Sequence, residues 1–362
     1  MDGINIFNDT NVSTVSTGTE IFSAIVVPQS LPVFMRILYI FIAVLGMTGN
    51  GLVLVVFNKV QELQVFTNIL ICHQSLVDLI SSCLLLLTFV PDPINLHDLL
   101  LNRPGLANFI CKLWANEFFF WAVIKVSTVN LIFITLERYL AVFHPVTYRI
   151  KATKRTTKYV CALAWFVGTL MVIYRPFTHT ISKEGVCLQS GLSSGAKYVL
   201  TVLEFIFALV LPVAVMLFVY TSIIKFLRSS SKQPRTVSNQ DSPPRSHHVR
   251  STETKQSAKE RGRKNVLTTL FIVSVTYTIC WTPDMILYFH HNVVTLHDWT
   301  EPFHRFAILL AASNVCVNPI IYTMKYRSFQ NGLKRMMCYS RLTVDSAIAI
   351  STRESDGSVV KE

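Results

Sequence analysis

The chain has 362 residues, of which 51% are hydrophobic and 15% charged, with a formal net charge of +12. Soluble domains carry roughly 25% charged residues, and the apolar residues here come in long blocks rather than at helical or strand periods, which excludes an ordinary soluble fold. The basic excess lies in a few segments between those blocks, so it is read as topology-setting charge facing anionic lipid, and a nucleic-acid partner is excluded.

Residues 1–32 are rich in Ser, Thr and Asn and lack a basic n-region followed by a short apolar stretch. No cleavable signal peptide is expected, and the first apolar block then targets the chain itself. Asn8-Asp9-Thr10 and Asn11-Val12-Ser13 are glycosylation acceptors, at Asn8 and Asn11.

A helix needs ~20 residues to cross ~30 Å of hydrocarbon. Seven blocks meet that need, at about 33–57, 66–90, 108–143, 159–177, 196–227, 266–289 and 302–326. The fold class expected is an all-α, seven-transmembrane helix bundle within residues 33–326. An odd number of spans puts the termini on opposite sides. The loop after the third block holds Arg149, Lys151, Lys154, Arg155 and Lys158, and residues 225–264 hold 11 Lys and Arg against 3 Asp and Glu. Loops of the other side are poor in base, so the amino terminus is expected outside the plasma membrane and the carboxyl terminus in the cytoplasm. Of eight cysteines only Cys111 and Cys187 fall at the outer face. In an oxidising compartment they suggest one disulfide, tying the top of the third helix to the loop before the fifth.

The loop 228–264 has almost no large apolar residue and is expected to be disordered. After the seventh block, residues 325–338 are basic and amphipathic, with Phe329 and Leu333 on one face. This predicts a short interfacial helix at 327–338, with Cys338 placed for palmitoylation. The tail 339–362 reads as disordered, with Ser346, Ser351, Thr352, Ser355 and Ser358 as candidate phosphorylation sites.

Polar groups inside a span are costly and usually functional. They include Asn50, Asp78, Lys125, Ser127, Asn130, Glu204, Asn314 and Asn318. Around them stand short motifs, one per block. Gly49-Asn50, Leu76-Val77-Asp78, Glu137-Arg138-Tyr139, Trp165, Pro212 with Tyr220, Cys280-Trp281-Thr282-Pro283 and Asn318-Pro319-Ile320-Ile321-Tyr322 follow in order. This set resembles the rhodopsin-like, or class A, G-protein-coupled receptors across nearly the whole membrane region.

The resemblance implies a mechanism. Arg138, held by Glu137, would swing to meet a heterotrimeric G protein, with Tyr220 and Tyr322 turning inward to bridge it. Asp78, Ser127, Asn314, Asn318 and Trp281 resemble the family's allosteric sodium site. No other cofactor is expected. Pro212, Pro283 and Pro319 would kink their helices around the Trp281 toggle. A kinase and arrestin are the partners implied for the tail. Cys111 and Arg138 are 27 residues apart, about two more than the family usually shows, so either the Cys sits further up in the loop or the third helix carries a bulge. Tyr277 stands where the family usually has Phe. No acid stands at the inner end of the sixth helix to pair with Arg138.

Phe120 occupies the place of the aminergic Asp, and Ala312 that of the retinal lysine, which argues against both ligand types. The general look is similar to neuropeptide receptors of the galanin, allatostatin and somatostatin type. Lys125 lies near mid-membrane, where an unpaired ammonium is untenable, and Glu204 stands at a height to pair with it; contact with an anionic ligand group is the alternative. Glu117, Trp121, Arg175, His179, Asp284, Tyr288, His291, His304 and Arg305 make a mixed upper pocket suited to an extracellular peptide with polar ends. A receptor for a small acid, lipid or chemosensory ligand is the second reading, and a non-signalling scaffold or transporter a remote one. No enzyme constellation is seen; Cys72 and His73 are adjacent on one helix and point apart.

Overall fold

The computed structural model describes residues 32–60, 66–91, 97–181, 187–189, 193–232, 248–293 and 301–336. Asn8, Asn11, Cys338 and the serine-rich tail lie outside the described residues. Seven helices are long and apolar enough to cross a membrane. They are α1 (Val33–Lys59), α2 (Phe66–Phe89), α3 (Phe118–Phe143), α4 (Lys154–Leu170), α5 (Ser194–Phe205 and Leu211–Lys232, joined by a π turn at Ile206–Val210), α6 (His248–Val293) and α7 (Glu301–Lys325). Lipid-facing rows such as Val33, Phe34, Ile37 and Phe41 of α1 are exposed, as a bilayer solvent allows.

The third span is the most enclosed of the seven. α3 packs against α2, α4 and α5, while α1 closes the ring by packing on α2 and α7, and α6 packs on α7 and α5. Gly168 lets α4 close onto α3; a Cβ there would lie 2.5 Å from the backbone nitrogen of Val126.

The extra spacing between Cys111 and Arg138 resolves into a bulge. A π turn at Ile110–Ala115 is followed by Glu117 in the left-handed region, at φ 58°. Regular α3 starts only at Phe118, so residues from there to Arg138 count on an unbroken helix. The Cys111–Cys187 disulfide forms, with Cα atoms 5.5 Å apart. It fastens a two-stranded antiparallel hairpin, β1 (His179–Ile181) and β2 (Cys187–Gln189), over the top of α3.

Two further helix starts differ from expectation, and α4 ends at Leu170 rather than near 177. α4 starts at Lys154 rather than near 159, because Thr153 caps it by accepting from the Thr156 N–H, a signal in polar sequence that an apolar window passes over. α6 starts at His248, inside the stretch expected to be disordered. Extending an existing helix needs no new nucleus, and Lys, Glu, Gln, Arg and Ala between 250 and 264 propagate it well. Residues 327–336 are helical after a break at Tyr326, with Phe329 buried.

Candidate functional site

Towards the disulfide side of the bundle, Lys125 Nζ lies 2.6 Å from Glu204 Oε1, and both side chains are almost wholly buried. The ion pair read from their heights is thus formed between α3 and α5. The Tyr174 hydroxyl donates to Glu204 Oε2 at 2.8 Å. The Lys125 ammonium lies 5.8 Å from the ring centre of Trp121 and 6.0 Å from that of Trp281. Glu204 is the one ion-pair partner of Nζ among the described residues, and Trp281 Nε1 makes no hydrogen bond among them.

Above the floor, Trp121 Nε1 donates to Glu117 Oε2 at 2.8 Å, and the Arg175 guanidinium stacks 5.2 Å over the Trp121 ring. Asn116 ties this corner to the end of α4 by donating to the Arg175 carbonyl at 2.5 Å. Phe120 is buried edge-on against Phe89, with centroids 5.0 Å apart. Burial lowers the pKa of His179, beside Arg175, so it stays neutral near pH 7. Asp284 is buried, Tyr288 half-buried, and Arg305 and His304 sit at the mouth, where His304, His291, Tyr288 and Leu287 line a small cavity.

Two prolines leave carbonyls without their helical N–H, and a side chain on another helix serves each. Pro212 frees the carbonyl of Ala208, which accepts the Tyr277 hydroxyl at 2.6 Å. The same hydroxyl lies 3.2 Å from Thr128 of α3. Pro319 frees the carbonyl of Val315, which accepts Asn50 Nδ2 at 2.8 Å. Gly49 makes room for the Pro319 ring, since a Cβ there would lie 2.9 Å from it. Pro283 lies inside α6, two residues after the buried Trp281.

Asp78 sits at the hub below. Its Oδ1 accepts from Gln74 Nε2 at 3.1 Å and from Ser127 at 3.0 Å, and its Oδ2 accepts from Asn318 Nδ2 at 2.8 Å. The polarity of the chain feeding Gln74 is fixed from its far end. Trp165 Nε1 can only donate, so His73 Nε2, 3.1 Å away, accepts. His73 Nδ1 then donates to Asn130 Oδ1 at 3.0 Å, Asn130 Nδ2 donates to Gln74 Oε1 at 2.8 Å, and Gln74 turns its N–H₂ to Asp78. Both Asp78 oxygens therefore meet donors, and Asn314 is not among its partners. Sodium needs free oxygens. These three donors compete with a cation for the carboxylate, and the mechanism runs through no sodium.

At the inner end Arg138 is held by Glu137 and Thr67, and Glu137 also accepts from Thr67 at 2.9 Å and from Tyr148. Burial, with Glu137 beside it, pushes the Tyr148 hydroxyl up to about 12, so it remains a donor. Tyr139 packs on Phe143, with centroids 4.6 Å apart. Tyr220 and Tyr322 do not reach Arg138. Tyr220 stands edge-on to Phe271, its buried hydroxyl near Thr135 and Ser274 without a well-formed hydrogen bond, and Tyr322 packs on Tyr326. α6 is fastened to α7 instead by Asn265, which donates to the Lys325 carbonyl at 2.7 Å and accepts from the Arg327 N–H at 3.0 Å. Sequence reading missed Gln74, Asn265, Thr67 and Tyr148.

A seven-helix membrane bundle in which one helix, α3, carries both the buried Lys125 and the Arg138 held near its end, with proline-containing α5, α6 and α7 packed around it, defines a transmembrane signalling receptor. The pattern of the 7 transmembrane receptor (rhodopsin family) matches residues 49–322, and the chain belongs to that family of receptors, which are not enzymes. It is similar to the cholecystokinin receptor type A of Homo sapiens, 28% identical over 353 residues that cover 83% of this chain and 79% of that receptor. It is 25% identical to galanin receptor type 2 of Rattus norvegicus, over 84% of this chain and 75% of that one. The allatostatin-A receptor of Bombyx mori is 23% identical over 91% of this chain and 85% of its own.

Proposed function

We propose that this chain is a plasma-membrane receptor, with its amino terminus outside, that binds an extracellular peptide and activates a heterotrimeric G protein. The observation that carries this is the charged and aromatic floor around Lys125 and Glu204, buried under a disulfide-pinned hairpin, in a chain whose relatives are named as cholecystokinin, galanin and allatostatin-A receptors. Ligand pressing on Trp121 and Trp281 moves α6 about Pro283. That motion frees Asn265 from α7 and opens the inner face. Arg138 then leaves Glu137 and Thr67, and Tyr220 and Tyr322 turn towards it. Residues 327–336 lie along the inner leaflet, and the tail serves a kinase and arrestin.

The test is a peptide-library screen in cells with verified surface expression, reading calcium and cAMP. The reading expects at least one active peptide. Silence to peptides with a response to small acids or lipids would overturn it.

A further inference from the structure

The charges at the floor do not balance. Glu204 is engaged by Lys125 and Tyr174. Glu117 holds the Trp121 indole and shares its field with Arg175. Asp284 is 3% exposed and lies in the field of Lys125, Glu204 and Glu117. Yet it has no hydrogen bond or ion pair of its own among the described residues. Arg305, at the mouth, is already engaged. Of the three acids, Asp284 is the one without a hydrogen bond or ion pair among the described residues, while Lys125 and Arg175 are each matched to another acid.

A carboxylate with no partner in a low-dielectric site costs several kcal/mol, and an incoming opposite charge recovers that cost. Beside it stand Trp281 Nε1, which has no acceptor among the described residues, and the Lys125 ammonium, whose three N–H groups exceed what its ion pair with Glu204 uses. We infer that Asp284 anchors a subsite for an ammonium or guanidinium group of the ligand, with Lys125 and Trp281 donating to a carbonyl next to that group. Two neighbouring acids favour a cation over a neutral donor, and the Trp121 and Trp281 faces add cation–π attraction. This rests on the reading of the bundle as a ligand-operated receptor and names the chemistry of what it takes.

The probe is L-argininamide, which carries an ammonium, a guanidinium and a carboxamide; N-acetylglycine is the anionic control. The readout is thermal melting of the purified full-length receptor. A ligand that binds only the folded state raises the melting temperature, here by roughly 2 °C. L-argininamide should shift the wild type and Asp284→Glu but not Asp284→Asn, which keeps the shape and hydrogen-bonding atoms without the charge. N-acetylglycine should shift none of them. A wild type blind to L-argininamide, or an Asp284→Asn variant stabilised as much as the wild type, overturns the subsite.

The peptide reading is separable. Any peptide found by screening is remade with its amino terminus acetylated, citrulline for arginine, or norleucine for lysine. One of these analogues should lose at least about tenfold in potency on the wild type and nothing further on Asp284→Asn. A peptide equally potent on wild type and Asp284→Asn removes the subsite and leaves the peptide reading standing. An Asp284-dependent L-argininamide shift with no active peptide does the reverse.

Discussion

The Tyr277 hydroxyl donates to the Ala208 carbonyl at 2.6 Å, the acceptor that Pro212 deprives of its helical N–H. A phenol on α6 thereby completes a break in α5, where the family usually carries Phe. Tyr277→Phe should leave that carbonyl unsatisfied at a cost of ~1–3 kcal/mol. Thermal melting of purified wild type and variant would register it as a lower midpoint, and equal midpoints would mean that the hydroxyl has no such role.

Lys125 and Glu204 stabilise the bundle only as a pair. Removing one charge strands the other in a dry site, at about 3–5 kcal/mol. Lys125→Ala and Glu204→Ala should each sharply reduce surface expression, and the double variant should recover much of it. Purely additive losses, read by surface immunolabelling, would refute the coupling.

The outline of the fold was legible because lipid imposes it. Runs such as 33–57 can be nothing but spans, and Pro212, Pro283 and Pro319 mark their own kinks. The Lys125–Glu204 contact was legible too, since a mid-membrane ammonium demands an acid and Glu204 stood at the right height. Gln74 and Asn265 were not. Neither is charged, and their roles depend on which atom of the amide faces which neighbour, a fact that exists only once helices are packed. The α6 extension was hidden for a related reason, because its residues carry propensity without an apolar pattern.

Gln74 bears on sodium. With its N–H₂ on Asp78, ligand affinity in the wild type should be the same in sodium chloride and in N-methylglucamine chloride of equal ionic strength. Gln74→Leu removes that donor and should make affinity sodium-dependent. A clear sodium effect in the wild type would show that the amide yields to the ion.

Asn265 holds α6 to Lys325 of α7 and to Arg327 just beyond it, by one hydrogen bond each. Losing a net ~1 kcal/mol from the closed state shifts a two-state balance about fivefold. Asn265→Ala should raise ligand-free signalling by that order at matched surface expression. Asn265→Asp keeps only the bond from the Arg327 N–H and should fall between. Unchanged basal cAMP and calcium in both variants would remove the latch.

The proposed mechanism couples the Lys125–Glu204 floor to Arg138. The decisive measurement is peptide-evoked guanine-nucleotide exchange on a G protein, in membranes carrying wild type or Arg138→Ala, alongside peptide binding to the same membranes. The account predicts that Arg138→Ala binds peptide within a few-fold of wild type and drives no exchange. Exchange undiminished in Arg138→Ala would contradict it.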